Sequence, residues 1–202
     1  MSQLSFFGAD TAPPALSDLS GLLAAQGRIV MHTADTARIS VTVDAPWRAS
    51  AIADRIVATG LTAEIGATPG GFPLVRTADG PELVPLATAW SRGGIKYVPI
   101  GWVPNAGALR IWFLAAGRME VEGERYVLGL DPDAPGTHVP LSEALMLAGI
   151  APTLISPHGA PPGLRVSGPR RISRLDESIG APPDHPEARA IWPRHEHFEH
   201  HM

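Results

Sequence analysis

The chain has 202 residues and a mass of 21.3 kDa, enough for one large or two small domains that bury about 70% of the unfolded surface. It contains no cysteine, which excludes disulfides, thiolate metal sites and cysteine nucleophiles and predicts a reducing compartment. Its formal net charge of −4 excludes a broadly basic nucleic-acid binder, because non-specific affinity for DNA comes mainly from neutralising phosphates; local basic stripes remain allowed.

Residues 1–15 read as an extended N-terminal peptide containing Pro13 and Pro14. Ser17 or Asp18 can then cap a helix that runs to about Gln26 and ends at Gly27. The stretches GRIVMH and ARISVTVDA follow as strands joined by a polar turn. In the second strand Ile39, Val41 and Val43 alternate with Arg38, Ser40 and Thr42, the signature of a sheet with one buried face. PWRASAIADRIVATG has helical spacing at Trp47, Ile52 and Ile56 and closes at Gly60. LTAEIG and FPLVRT predict two more strands, and GPELVPLATAW a third helix.

The order α-β-β-α-β-β-α then recurs. Helix 108–117 ends at Gly117, RMEVEG and RYVLGL form a hairpin, PLSEALMLAG is a helix ending at Gly149, APTLIS and GLRVSG are strands, and PRRISRLDESIG is a helix ending at Gly180. Gly27 and Gly117 are 90 residues apart, Gly60 and Gly149 are 89 apart. Two matched boundaries and a matched element order predict an internal duplication, with a period too long for a solenoid. The fold class is therefore α+β, built from a first repeat at 16–92, a linker at 93–104 and a second repeat at 105–180. Lys96, Tyr97 and Trp102 in the Gly- and Pro-rich stretch 91–107 are candidates for ligand contact, and packing between the halves is the expected use of the two aromatics. Residues 181–202 are expected to be a poorly ordered C-terminal tail.

The nonapeptide Leu19-Ser20-Gly21-Leu22-Leu23-Ala24-Ala25-Gln26-Gly27 carries a resemblance. With its looser second copy at 109–117 and the duplicated αββαββα order, it resembles the LAGLIDADG homing endonucleases over residues 16–180. The resemblance implies a pseudo-two-fold, saddle-shaped molecule, monomeric as a pseudo-dimer, whose two motif helices pair through Gly21, Ala25, Ile111 and Ala115. Small side chains there allow helices to approach at the short end of the ~8–10 Å range. In the family the residue before each motif's last glycine is an acid that holds divalent metal for phosphodiester hydrolysis. Here those positions are Gln26 and Ala116. An amide is a poor ligand for Mg²⁺ and a methyl group is none, so no catalytic residue, metal or other cofactor is expected. The WhiA family of bacterial regulators is similar in carrying a degenerate domain of this kind, although no clear helix-turn-helix is visible in this chain.

The resemblance further implies that the open sheet faces lie on double-stranded DNA, in DNA maintenance or transcription. Polar-face candidates are Arg28, Arg38, Ser40, Thr42 and Arg76 in the first half and Arg118, Arg125 and Arg165 in the second, since arginine suits both phosphate and guanine contacts. Glu120 and Glu122 weaken that attraction in the second half, and an ordinary solvated face is the alternative.

A separate feature, Gln3-Leu4-Ser5-Phe6-Phe7, resembles the short peptide by which bacterial replication and repair proteins dock on the sliding clamp. Gln3 would orient the peptide, while Leu4, Phe6 and Phe7 would fill a preformed apolar pocket. This predicts the alternative role of a clamp-docking adaptor. His195, His197, His200 and His201 are expected to bind metal only adventitiously, and Arg170, Arg171 and Arg174 to be solvated. No nucleophile elbow and no Walker loop occurs. The opening MSQLSFFGAD lacks a signal-peptide layout and no apolar run approaches ~18 residues, so a soluble, cytoplasmic protein without a membrane partner is expected.

Overall fold

The computed structural model describes residue 9, residues 12–156 and residues 159–194. A 3-10 turn at Leu16–Leu19 leads into helix α1 (Ser20–Ala24), followed by β1 (Arg28–Thr33), β2 (Thr36–Thr42), α2 (Pro46–Ala58), β3 (Ala63–Ala67), β4 (Pro73–Thr77) and α3 (Val84–Trp90). A short hairpin, β5 (Ser91–Arg92) and β6 (Ile95–Lys96), precedes the second series. That series is α4 (Ala106–Ala116), β7 (Gly117–Val121), β8 (Arg125–Gly129), α5 (His138–Leu147), β9 (Thr153–Ile155), β10 (Gly163–Ser167) and α6 (Pro169–Ile179), after which comes α7 (Pro186–Ile191). Both four-stranded sheets are antiparallel and have the same order, β1-β2-β4-β3 and β7-β8-β10-β9. The repeated topology is that of the expected duplication.

Each sheet buries one face under helices. In the first half Ile39 and Val41 on β2 and Val75 on β4 point inward, where Trp47, Ile52 and Ile56 of α2 are also buried. Pro46 begins α2 where its missing N–H costs nothing, and Gly60 ends the turn with a φ of +90° that other residues rarely adopt. In the second half Tyr126 and Leu128 on β8 and Leu164 and Val166 on β10 join Leu141, Leu145, Ile172 and Leu175 in the same continuous core.

The halves meet through α1 and α4. A Cβ on Gly21 would lie 2.1 Å from the Ala108 carbonyl oxygen and 2.9 Å from the Trp112 nitrogen, so glycine is required for the two helix backbones to touch. Ala25, Ile111 and Ala115 are buried in the same core. At the N-terminal ends, the Asn105 side chain caps α4 by accepting from Ala108 N at 2.7 Å and donates to the Asp18 carboxylate at 2.9 Å. Asp18 also accepts from Ala15 N at 3.1 Å, so one carboxylate secures the start of both helices. Gly107 leaves room for it, because a Cβ there would fall 2.3 Å from Asp18 Cγ. Trp102 stacks edge-on against Trp90 with centroids 4.9 Å apart and leans on Trp112 at 6.4 Å, while its Nε1 donates to Ser20 Oγ. Packing between halves is therefore the role of this tryptophan.

Three expectations change. The first helix does not reach Gln26: α1 stops at Ala24, and the turn into β1 begins at Ala25, whose ψ of −148° leaves the helical region. Its opening 3-10 turn uses Asp18 at the third position rather than as the cap. The linker 93–104 is not wholly irregular, since the β5–β6 hairpin lies across its start. Residues 181–194 are not a loose tail. Trp192 is 2% exposed, its ring meets Phe113 edge-on at 5.0 Å and its Nε1 donates to the Gly180 carbonyl. Four prolines and few apolar residues hid a segment held by one buried ring and by His185 stacked on Trp47. The clamp-like peptide, Gln3, Leu4, Phe6 and Phe7, and the histidines from His195 onward lie outside the described residues.

Candidate nucleic-acid interface

Strand register sets out the faces opposite the helices. On the first sheet Arg28, Ser40 and Arg76 stand in one cross-strand row that continues to Glu64, with Arg38 beside Val30 in the next row and Thr42 beside Leu74. On the second, Arg118, Val127, Arg165 and Thr153 form the corresponding row, and Arg125 pairs with Ser167 at its end. Every polar-face residue named from the sequence thus lies on β1, β2, β4, β7, β8 or β10.

Three of these six arginines are ion-paired with a carboxylate. Arg28 meets Asp133 at 2.8 Å, an exposed contact that crosses from one half to the other. Arg38 is paired with Asp79. Arg165 grips Glu120 through Nε at 2.6 Å and Nη2 at 3.2 Å. The hydrogen bond from Arg165 holds the Glu120 carboxyl below its usual range against the opposing pull of burial, and the same bond pushes the Arg165 guanidinium upward. Burial lowers Arg118, which donates to the Pro161 carbonyl. Among the described residues no carboxylate forms an ion pair with Arg76, and it remains exposed in the middle of its row. Arg170, Arg171 and Arg174 are exposed on α6, within the helix layer, and are not brought to the sheet faces.

The C-terminal ends of the central helices carry a different arrangement. Lys96, the only lysine in the chain, donates to the Ala25 carbonyl at 2.6 Å and to Asp131 Oδ2 at 3.0 Å. Arg48 donates to the Phe113, Leu114 and Gly117 carbonyls at 3.2, 2.8 and 2.6 Å and pairs with Asp44 at 2.8 Å. Each helix end, where unpaired carbonyls concentrate negative potential, therefore faces a side-chain cation. Burial lowers both, while Asp131 and Asp44 act in the opposite direction. Gln26 donates to the Thr42 carbonyl at 2.6 Å. Ala116 packs on Gly129, where a Cβ would come within 2.9 Å of its methyl group. Among the described residues no group of three His, Cys, Asp or Glu side chains is placed to hold a metal ion.

Arg48 and Asp131 went unrecognised in the sequence. Arg48 had a signal, because it falls on the same helical stripe as Ile52 and Ile56, where a cation must find buried acceptors. Asp131 sits in a polar turn with Asp133 and had none.

No family model and no curated protein matches this sequence. Solved structures match the fold. The N-terminal LAGLIDADG domain of WhiA superposes with a TM-score of 0.54 and 16% identity, over 82% of this chain and 81% of that one. The homing endonuclease I-WcaI, bound to its DNA recognition sequence, gives a TM-score of 0.61 and 10% identity over 95% and 88%. The fold is LAGLIDADG-like. Full-length WhiA from Thermatoga maritima matches with a TM-score of 0.57 and 15% identity over 87% of this chain, which spans 57% of that longer protein. The LAGLIDADG-like arrangement assigns α1 and α4 to the paired motif helices, so Gln26 and Ala116 stand at their lower ends.

Proposed function

We propose that this protein binds double-stranded DNA on the open faces of its two sheets and does not hydrolyse it. The observation that carries the reading is the placement of six arginines, Arg28, Arg38, Arg76, Arg118, Arg125 and Arg165, on the sheet faces away from the helices. I-WcaI, which shares this fold, is bound to DNA. Exposed ion pairs such as Arg28–Asp133 are worth only about 0–1 kcal/mol, so phosphates can replace those carboxylates. The compensation keeps affinity modest and strongly salt-dependent. Gln26 and Ala116 supply no carboxylate at the helix ends, and Lys96 and Arg48 already neutralise the carbonyls there. Both features support a non-catalytic role, which we place in DNA maintenance or transcription.

Fluorescence anisotropy of a labelled duplex across a salt series tests the reading. The expected result is binding whose log–log salt slope shrinks by about 1 for each phosphate-contacting arginine removed, with Arg76→Ala and Arg125→Ala each lowering affinity. Absence of binding at low salt contradicts it. A second reading rests on the sequence Gln3–Phe7 alone, as a peptide that docks the protein on a sliding clamp. Binding to purified clamp that Gln3→Ala/Phe6→Ala abolishes, without any DNA affinity, would establish that role instead.

A further inference from the structure

Between the edge of β1, the β5–β6 hairpin and the loop after β8 lies a cleft of about 380 Å³, within the ~300–1,000 Å³ span of small-ligand pockets. Its polar side is built, not incidental. Lys96 and the 5%-exposed Asp131 stand side by side, and Asp131 Oδ1 accepts from Asp133 N at 3.0 Å. Its apolar walls include Val30 and Ile95, which are 60% and 73% exposed although both are aliphatic. The mouth is marked by Arg28, the residue that begins the Arg28–Ser40–Arg76 row of the sheet face.

From this juxtaposition we infer that the cleft takes one nucleobase turned out of the DNA duplex. The inference rests on the DNA-binding reading above and adds to it a site for a single unpaired base. A base edge offers N–H donors and ring or carbonyl acceptors side by side. Here a carboxylate and an ammonium stand 3.0 Å apart to receive both, and the apolar lining at Val30, Trp90 and Ile95 offers contact to a ring, the combination that extrahelical base pockets share. Arg28 can release Asp133 to hold the flanking phosphate, which also opens the mouth of the cleft. An apolar peptide would leave Lys96 and Asp131 without new partners, and a simple anion would be repelled by Asp131 and Asp133. Unpairing is least costly at a mismatch or opposite a missing base, so the occupant is drawn from such sites in preference to intact duplex.

The test uses the full chain and a duplex with 2-aminopurine opposite an abasic position, with anisotropy reporting binding and 2-aminopurine emission reporting unstacking. The expected result is a several-fold rise in emission on binding, with tighter binding than to the fully paired duplex. Ala134→Leu places bulk in the cleft from a half-exposed turn position; it should remove the rise and the preference while leaving binding to paired duplex intact. Lys96→Met should weaken both. Binding without a rise overturns the inference alone, as does a rise unaffected by Ala134→Leu. Absence of any anisotropy change removes the DNA-binding reading and this one with it. Binding of free 2-aminopurine riboside that Ala134→Leu removes, with no response to the duplex, would overturn the inference in favour of a free-nucleoside site.

Discussion

The two halves have one topology and two chemistries. In the first, the end of the central helix is held from outside by a lysine on the β5–β6 hairpin, and the sheet face keeps Arg76 exposed in its central row. In the second, the central helix is eleven residues long rather than five, an arginine buried in the other half secures its end, and the sheet face engages two of its three arginines with protein acceptors. Arg165 is locked to Glu120, Arg118 reaches a backbone carbonyl, and Val127 in the same row is fully buried. The two halves share one strand order, and in each the helices cover one face of the sheet. The opposite faces differ in their charges and partners.

Substitutions can break this comparison at several depths. Gly21→Val should have the largest effect, about 3 kcal/mol or loss of the fold, since even a Cβ overlaps the Ala108 carbonyl. Gly66→Ala, with nothing within 4 Å, should change denaturant stability by less than about 0.5 kcal/mol. Arg48→Met strands the acceptors at the end of α4 and should cost about 2–3 kcal/mol in urea unfolding. Lys96→Met releases the single Ala25 carbonyl and Asp131 and should cost about 1–2 kcal/mol.

That last variant also sharpens the comparison through pH. Lys96 titrates below its ordinary 10.5 in the folded protein. Between the folded value and 10.5 the unfolded chain holds more protons, so stability gains from Lys96 as pH rises through that window. Lys96→Met should abolish this alkaline gain, as measured by unfolding at stepped pH. Glu120→Gln has a weaker effect than the substitutions at the junction. Glu120 titrates below 4.5 when folded, so its contribution is present above that pH and is lost as pH falls through the folded value. The variant should flatten that acid limb slightly and, by freeing Arg165, raise DNA affinity a few-fold at low salt.

Much of this architecture was legible in the amino-acid order. Alternation at Ile39, Val41 and Val43, helix-ending glycines at matched spacing and the small residues of α1 encode strands, boundaries and duplication locally. The contacts that secure the junction are not local. Arg48 reaches carbonyls more than sixty residues away, and Lys96 joins Ala25 to Asp131 across both halves. Trp192 was obscured by the prolines around it, because one ring in a preformed slot carries no periodicity. The saddle arginines could be placed from strand alternation, whereas their partners Asp79 and Asp133 come from loops whose course only the fold sets.

Supercoiled plasmid examines both parts of the proposed function together, DNA binding by the sheet faces and a junction that does not hydrolyse it. Incubated with saturating protein and Mg²⁺ or Mn²⁺ at low salt, the plasmid should be retarded in a gel and recovered still supercoiled after deproteinisation. Nicked or linear product that Gln26 substitution suppresses, or plasmid that migrates unretarded at every protein concentration, would contradict it.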